Sequence, residues 1–271
     1  MSEELTSNLT KEALKKMFAR DVRFDGRKLL DLRDFEITYD VSNKAEGSAR
    51  IKMGKTEVVV GVKMQVGEPY PDSPDEGNLM VSSDLLPLAS PRYESGPPKF
   101  DAIELPRLVD RAIRASEIID FKKLVIKEGE KVWTIVVDIY PINDDGNVIE
   151  ASSLAALAAL KNTVFPEIDK DDKIDYDKKT KNKLPLSKEI IPISFSFYKL
   201  GDSIILDPTR EEEEACDARI TFGISNWNKQ IMLNSCQKKG KATLSSDEVE
   251  TIMEIIPAKF EEFNKKLKKF L

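Results

Sequence analysis

The 271-residue chain contains no histidine. Without imidazole there is no Ser-His-Asp triad, no Cys-His pair and no histidine-ligated zinc, so any chemistry has to run on carboxylates, lysine, tyrosine or a bound ion. Cysteine is nearly missing too. Cys216 and Cys236 are the only two, lack CxxC spacing and are too few for a disulfide framework, so both are expected as reduced thiols. No run approaches the roughly 18 apolar residues of a membrane span. The opening MSEELTSNLTKEALKK carries no apolar signal region. Together these absences lead us to expect a soluble, cytoplasmic protein with no membrane partner. An excess of basic charge is also lacking: the net charge is -6 and the pI about 5.1. That argues against a protein that coats nucleic acid nonspecifically, while leaving room for a local basic groove.

What is present is a pattern of strands and helices. TKEALKKMF (10 to 18) has the spacing of a short amphipathic helix. Phe35, Ile37, Tyr39 and Val41 alternate, as do Ala49, Ile51 and Met53, and then Val58, Val60, Val62, Met64 and Val66, which predicts an antiparallel meander. GEPYPDSPDEGN and SPRYESGPPKF read as irregular connections, and KLVIK-EGE-KVWTIVVDIYPI as a hairpin. EASSLAALAALKNTVF (150 to 165) is expected as a helix packed closely on a sheet. The charge run PEIDKDDKIDYDKKTKNK (166 to 183) reads as an exposed loop. Two further hairpins follow, around Gly201-Asp202 and Asn226 to Lys229, and then a terminal helix with a capping box from Ser245 to Glu248 that Pro257 should kink. The order of elements predicts an α+β fold. We read residues 1–271 as one domain with a two-lobed core, the first lobe over about 1–145 and the second over about 146–271.

Within this acidic chain, IELPRLVDRAIRAS (103 to 116) is distinctive. At about 100° per residue, Arg107, Arg111 and Arg114 fall within roughly 60° of one another, with Leu105, Leu108, Val109, Ala112 and Ile113 on the opposite side. Such a stripe is either a solvated face paired with Glu104 and Asp110, or a set of guanidinium forks one turn apart that hold successive phosphates. The run Glu211 to Glu214 would point around a helix axis instead of converging, so it is not read as a metal site.

A set of dispersed segments extends across nearly the whole chain: RFDGRKLLDLRDFEI, GSARIKMGKTEVVVGVKMQV, GNLMVSSDLLPLA, GPPKFDAIELPRLVDRAIRAS, VWTIVVDIYPINDDGNVIEASSLAALAAL and ILDPTREEEEACDARITF. In order and spacing they resemble ribonuclease PH-like proteins, and among these they look most like the non-catalytic subunits of the archaeal exosome. The resemblance implies a ribonuclease PH-like fold of two βαβ-type lobes, related to the second domain of a small-subunit ribosomal protein. It also implies a heterohexameric ring shared with a catalytic sister subunit, RNA-binding cap subunits, and single-stranded RNA degraded from its 3′ end by inorganic phosphate.

Active members need a Gly-Ser-Arg turn that binds phosphate at a helix start, and aspartates that assist the leaving oxygen or hold a metal. Here the turn reads Gly146-Asn147-Val148, and Phe100-Asp101 stand where paired arginines are usual. Arg219 falls about where an aspartate is expected, although Asp207 survives. The expectation is therefore a chain with no catalytic residues, no metal and no cofactor. By the same resemblance, Arg107 and Arg111 reach RNA in the sister's active site. Arg114, with Asp110 four residues before it, is the less committed member of the stripe. The competing functional reading is a phosphorolytic 3′-to-5′ exoribonuclease active by itself.

Overall fold

The computed structural model describes residues 6–168, 174–228 and 230–270. Helix α1 (Asn8–Phe18) starts at Ser7, whose side chain accepts from the Thr10 N–H. Three strands, β1 (Phe35–Tyr39), β2 (Gly47–Met53) and β3 (Thr56–Gly67), then build the meander. Along β3 every second residue from Val58 to Met64 is buried, so one face of the sheet meets the core. β4 (Asn78–Ser83), α2 (Phe100–Arg114), β5 (Val125–Lys127) and β6 (Lys131–Asn143) complete the first lobe. The strand order is β1-β2-β3-β6-β4, with β5 also on β6, and only the β4–β6 pair is parallel.

Helix α3 (Val148–Asn162) carries the chain between lobes, followed by β7 (Val164–Ile168) and β8 (Ile174–Lys183). β9 (Ile193–Leu200), β10 (Ser203–Leu206), α4 (Arg210–Ala215), β11 (Ala218–Trp227) and β12 (Gln230–Gly240) come next, and α5 (Ser246–Leu267) closes the chain. The second sheet is antiparallel in the order β10-β9-β11-β12.

Every residue from Val148 to Leu160 is buried, because α3 is packed by β2 and β3 on one side and β9 on the other. Its alanines permit that closeness. At Gly47 on β2, a Cβ would lie 2.6 Å from the Ala159 carbonyl oxygen and 2.2 Å from Thr163 Oγ1, so only glycine fits. Helix α5 joins the two sheets through Phe263, whose ring lies 4.9 Å from Phe35 on β1 and 5.9 Å from Phe195 on β9. One apolar cluster thus runs through both lobes. A smaller cluster of Leu14, Phe18, Leu200, Ile205 and Ala215 seats α1 on the second sheet.

Two expectations need correction. The charge run at 166 to 183 contains the paired strands β7 and β8, although residues 169–173 lie outside the described ones. This ribbon joins neither large sheet, so its strands need no regular apolar face, and that removed the signal. Helix α3 stops at Asn162, because Val164 starts a strand. Helix α5 carries Pro257 inside it and runs on to Leu267. The turn between β11 and β12 falls as expected, with Lys229 outside the described residues. Among the described residues, no helix is long and apolar enough to cross a membrane, and Cys216 and Cys236 are free thiols.

Candidate functional site

The arginine stripe lies on α2. Leu105, Leu108, Val109, Ala112 and Ile113 are buried, whereas Arg107, Arg111 and Arg114 are exposed, as helical spacing required. Pro106 sits inside the helix, and its missing N–H leaves the Ala102 carbonyl without its usual partner. Ser83 Oγ, at the end of β4, donates to that carbonyl at 3.1 Å, tying the helix to the sheet edge. Arg114 is held within the chain: it donates to Asp110 Oδ1 at 2.9 Å and to the Leu79 carbonyl at 3.1 Å. Arg107 and Arg111 form no hydrogen bond or ion pair with the described residues. They border a shallow cavity of about 210 Å³ with Val81, Pro106 and Asp110.

Glu104 does not serve the stripe, contrary to its helical spacing. It is 5% exposed and accepts from Arg219 Nη2 at 2.6 Å, Lys239 Nζ at 3.1 Å and Gln237 Nε2 at 3.2 Å. Arg219, which stands about where an aspartate was expected, is thus used to neutralise a buried glutamate on α2.

At the start of α3, Gly146 (φ 83°) and Asn147 (φ 59°) are both left-handed. A Cβ on Gly146 would lie 2.5 Å from the Pro208 carbonyl oxygen. A helix N-terminus attracts anions through its free N–H groups. Here the anion is the chain's own: Glu213 Oε2 accepts the Asn147 N–H at 2.8 Å. Val148 is buried, and Arg92, which lines the same cavity, is already engaged. It lies 2.5 Å from Asp144 and 3.8 Å from both Glu213 and Glu214. The adjoining cavity, about 230 Å³, is bordered by Tyr93, Glu104, Val148, Glu213 and Arg219, with Arg92 at its edge. A phosphate entering it would meet carboxylates and cations that already have partners.

Asp207 is buried at the centre of a network. Arg33 donates to it from Nη2 at 2.7 Å and from its backbone N–H at 2.7 Å, Arg27 Nη1 at 3.1 Å and Asn147 Nδ2 at 2.7 Å. Burial alone would raise its pKa, but the bond and charge of Arg33 outweigh burial and hold the carboxylate below its ordinary value. Asp207 is therefore a structural anion here, set just after the end of β10 in a left-handed conformation (φ 51°). The four glutamates splay apart on α4. Glu212 pairs with the fully buried Arg23, Glu213 turns to α3, and Glu214 accepts from Thr6 Oγ1 at 2.9 Å. Among the described residues, no group of three or more Cys, Asp or Glu side chains converges in a way that could hold a metal. Sequence reasoning passed over Arg23 and Arg33, because each finds its partner in the second lobe, and the only signal was their place in RFDGRKLLDLRDFEI.

Glu150 lies beside this network, accepting from Asn147 Nδ2 at 2.9 Å and the Ser196 N–H at 2.6 Å. Burial, then the negative charge of Asp207, pushes its pKa up to about 8. A raised carboxyl pKa means that the folded state holds its proton more tightly than the unfolded state. The resulting stability is full below about pH 4.5 and is lost as pH rises toward 8. Glu150→Gln, permanently neutral, is expected to flatten thermal-melt stability across that window. It should exceed the wild type at pH 9 by on the order of 2 kcal/mol. A wild-type melt unchanged between pH 5 and 9 would contradict this.

Comparison with known proteins agrees with the geometry. Residues 31–166 match the 3′ exoribonuclease family, domain 1, and residues 191–255 match domain 2 of the same family. The chain belongs to the 3′ exoribonuclease family. Within that family it is 40% identical to the exosome complex component Rrp42 of Methanocella arvoryzae, covering 98% of each chain. It is 47% identical to that of Pyrobaculum aerophilum over 81% of this chain and 80% of the relative. Among solved structures, a chain of the Archaeoglobus fulgidus exosome with RNA bound to the active site superimposes with a TM-score of 0.85 at 40% identity. The match covers 95% of this chain and 98% of that one. A chain of an archaeal exosome core gives 0.80 at 37% identity, covering 94% of each. The expected ribonuclease PH-like α+β fold is thereby met.

Proposed function

We propose that this member of the 3′ exoribonuclease family is a non-catalytic ring subunit of an archaeal-type exosome. It stands beside a catalytic sister subunit under RNA-binding caps, and Arg107 and Arg111 hold the phosphates of single-stranded RNA at the sister's active site. The observation that carries this reading is the contrast between two places on one chain. At α3 the amide that could cradle phosphate is filled by Glu213, whereas on α2 two exposed guanidinium groups have no partner among the described residues. Phosphate contacts position a strand without reading its bases, so the role suits a degrader that accepts any sequence.

The purified chain alone is expected to release no nucleoside diphosphate from RNA and inorganic phosphate. Release should begin when a catalytic family member that keeps Gly-Ser-Arg is added and a ring forms. Phosphate-dependent turnover by the chain alone would overturn the proposal in favour of an autonomous exoribonuclease.

A further inference from the structure

We infer a base-stacking platform at Phe100, at the N-terminal end of the arginine stripe. The inference rests on the RNA-binding reading of Arg107 and Arg111 and extends it from phosphate to base. At about 100° per residue, Phe100, Ile103, Arg107 and Arg111 fall within an arc of about 80° on α2. One helix face therefore runs from an apolar end to a cationic end. Phe100 is 61% exposed and Ile103 50% exposed. Phe100 lies about 10 Å along the axis from Arg107, and Arg107 about 6 Å from Arg111, at roughly 1.5 Å of rise per residue. A single strand whose phosphates sit on the two arginines reaches the apolar end within a nucleotide or two.

Charge decides which part of the strand that end receives. Asp101 adjoins Phe100 and Glu94 lies on the preceding loop, each paired with a lysine, Lys239 and Lys99, so this end offers phosphate no free cation, whereas an uncharged base needs none. The ring is also backed by a cation. Lys239 Nζ lies 4.7 Å from the Phe100 centroid and is fixed by Asp101 and Glu104. A cation on one face draws electron density from the ring, and the open face then stacks well with the electron-rich face of a nucleobase. Apolar and aromatic platforms next to a phosphate-tracking groove are the usual means of holding single strands without sequence preference.

The test uses the ring reconstituted with a catalytic family member and a fluorescent RNA oligonucleotide, wild-type or with single abasic positions. Phe100→Ala is expected to weaken RNA binding about tenfold, with the salt slope unchanged because every arginine still meets its phosphate. Phe100→Trp should bind at least as tightly as the wild type. In the wild-type ring, an abasic site at one or two positions should carry a penalty that the Phe100→Ala ring does not show. Unchanged affinity in Phe100→Ala overturns the inference. So does loss of ring assembly in Phe100→Ala that Phe100→Trp restores without any abasic signature, because the residue then packs against protein. Arg107→Ala with Arg111→Ala is run in parallel. If that pair too leaves binding unchanged, the reading beneath has failed, whereas loss in the pair alone confines the failure to Phe100.

Discussion

Asp207→Ala is expected to lower the stability of the isolated chain by about 3–5 kcal/mol, on the order of 10 °C in melting temperature for a chain of this size. The carboxylate is fully buried, and Arg33, its main partner, has a side chain only 10% exposed. Removing the anion leaves a buried guanidinium with the carbonyls of Asp145, Gly146 and Pro208 at 3.1–3.2 Å and only the more distant, partly exposed carboxylate of Asp145, at 3.7 Å. Carbonyl dipoles do not replace a full charge at that depth. The same substitution frees one bond of Asn147 and so loosens the turn that opens α3. Asp207→Asn keeps the shape and one acceptor and should lose less.

A second readout separates the electrostatic account from simple loss of packing. Asp207 helps keep the Glu150 pKa high, so in Asp207→Asn the loss of stability with rising pH, which starts near pH 4.5 in both proteins, should end at lower pH and be smaller. In acid the sign reverses. The pKa of Asp207 is depressed, so its contribution is present above the ordinary aspartate value near 3.8 and disappears as pH falls below it. The wild type should therefore lose its advantage over Asp207→Asn in strong acid. Equal melting temperatures of wild type and Asp207→Ala at pH 6 would refute the network.

What local pattern alone could reveal of this site is set by the sequence distance between partners. The buried face of α2, the solvent face of its arginines and the Asp110–Arg114 pair all follow from three- and four-residue spacing, because the helix itself brings those residues together. Glu104 also had a helical neighbour available, yet pairs with Arg219, 115 positions away. Nothing in helical spacing marks that choice, which depends on β11 and β12 lying beside α2. Likewise Glu213 meets the Asn147 amide across 66 positions. Composition could show that the phosphate turn had lost its arginine. Only the fold shows that a glutamate has taken the anion's place. The strands of the first sheet were legible because one face is buried, while the β7–β8 ribbon, largely solvated, carries a charge pattern that a loop carries equally well.

Arg107→Ala combined with Arg111→Ala should weaken RNA retention by the assembled ring and reduce the slope of log affinity against log salt by about 1.4, or about 0.7 for each single-strand phosphate deprived of its arginine. A tenfold rise in salt would then weaken the wild-type ring about 25-fold more than the double variant. Ring formation should survive, because both side chains are exposed and neither is bonded to another described residue. Arg107→Lys with Arg111→Lys separates charge from geometry: the salt slope should be kept, since each ammonium still displaces a counterion, while affinity falls because the two-pronged fit of guanidinium to phosphate is gone. Arg114→Ala supplies the internal contrast. Its guanidinium is already committed to Asp110 and the Leu79 carbonyl, so its removal should change the slope by much less than about 0.7. Should Arg114→Ala match either of the other single substitutions in slope, the distinction between paired and free arginines would fail. The phosphates would then be held by the general field of the stripe and not by Arg107 and Arg111 individually.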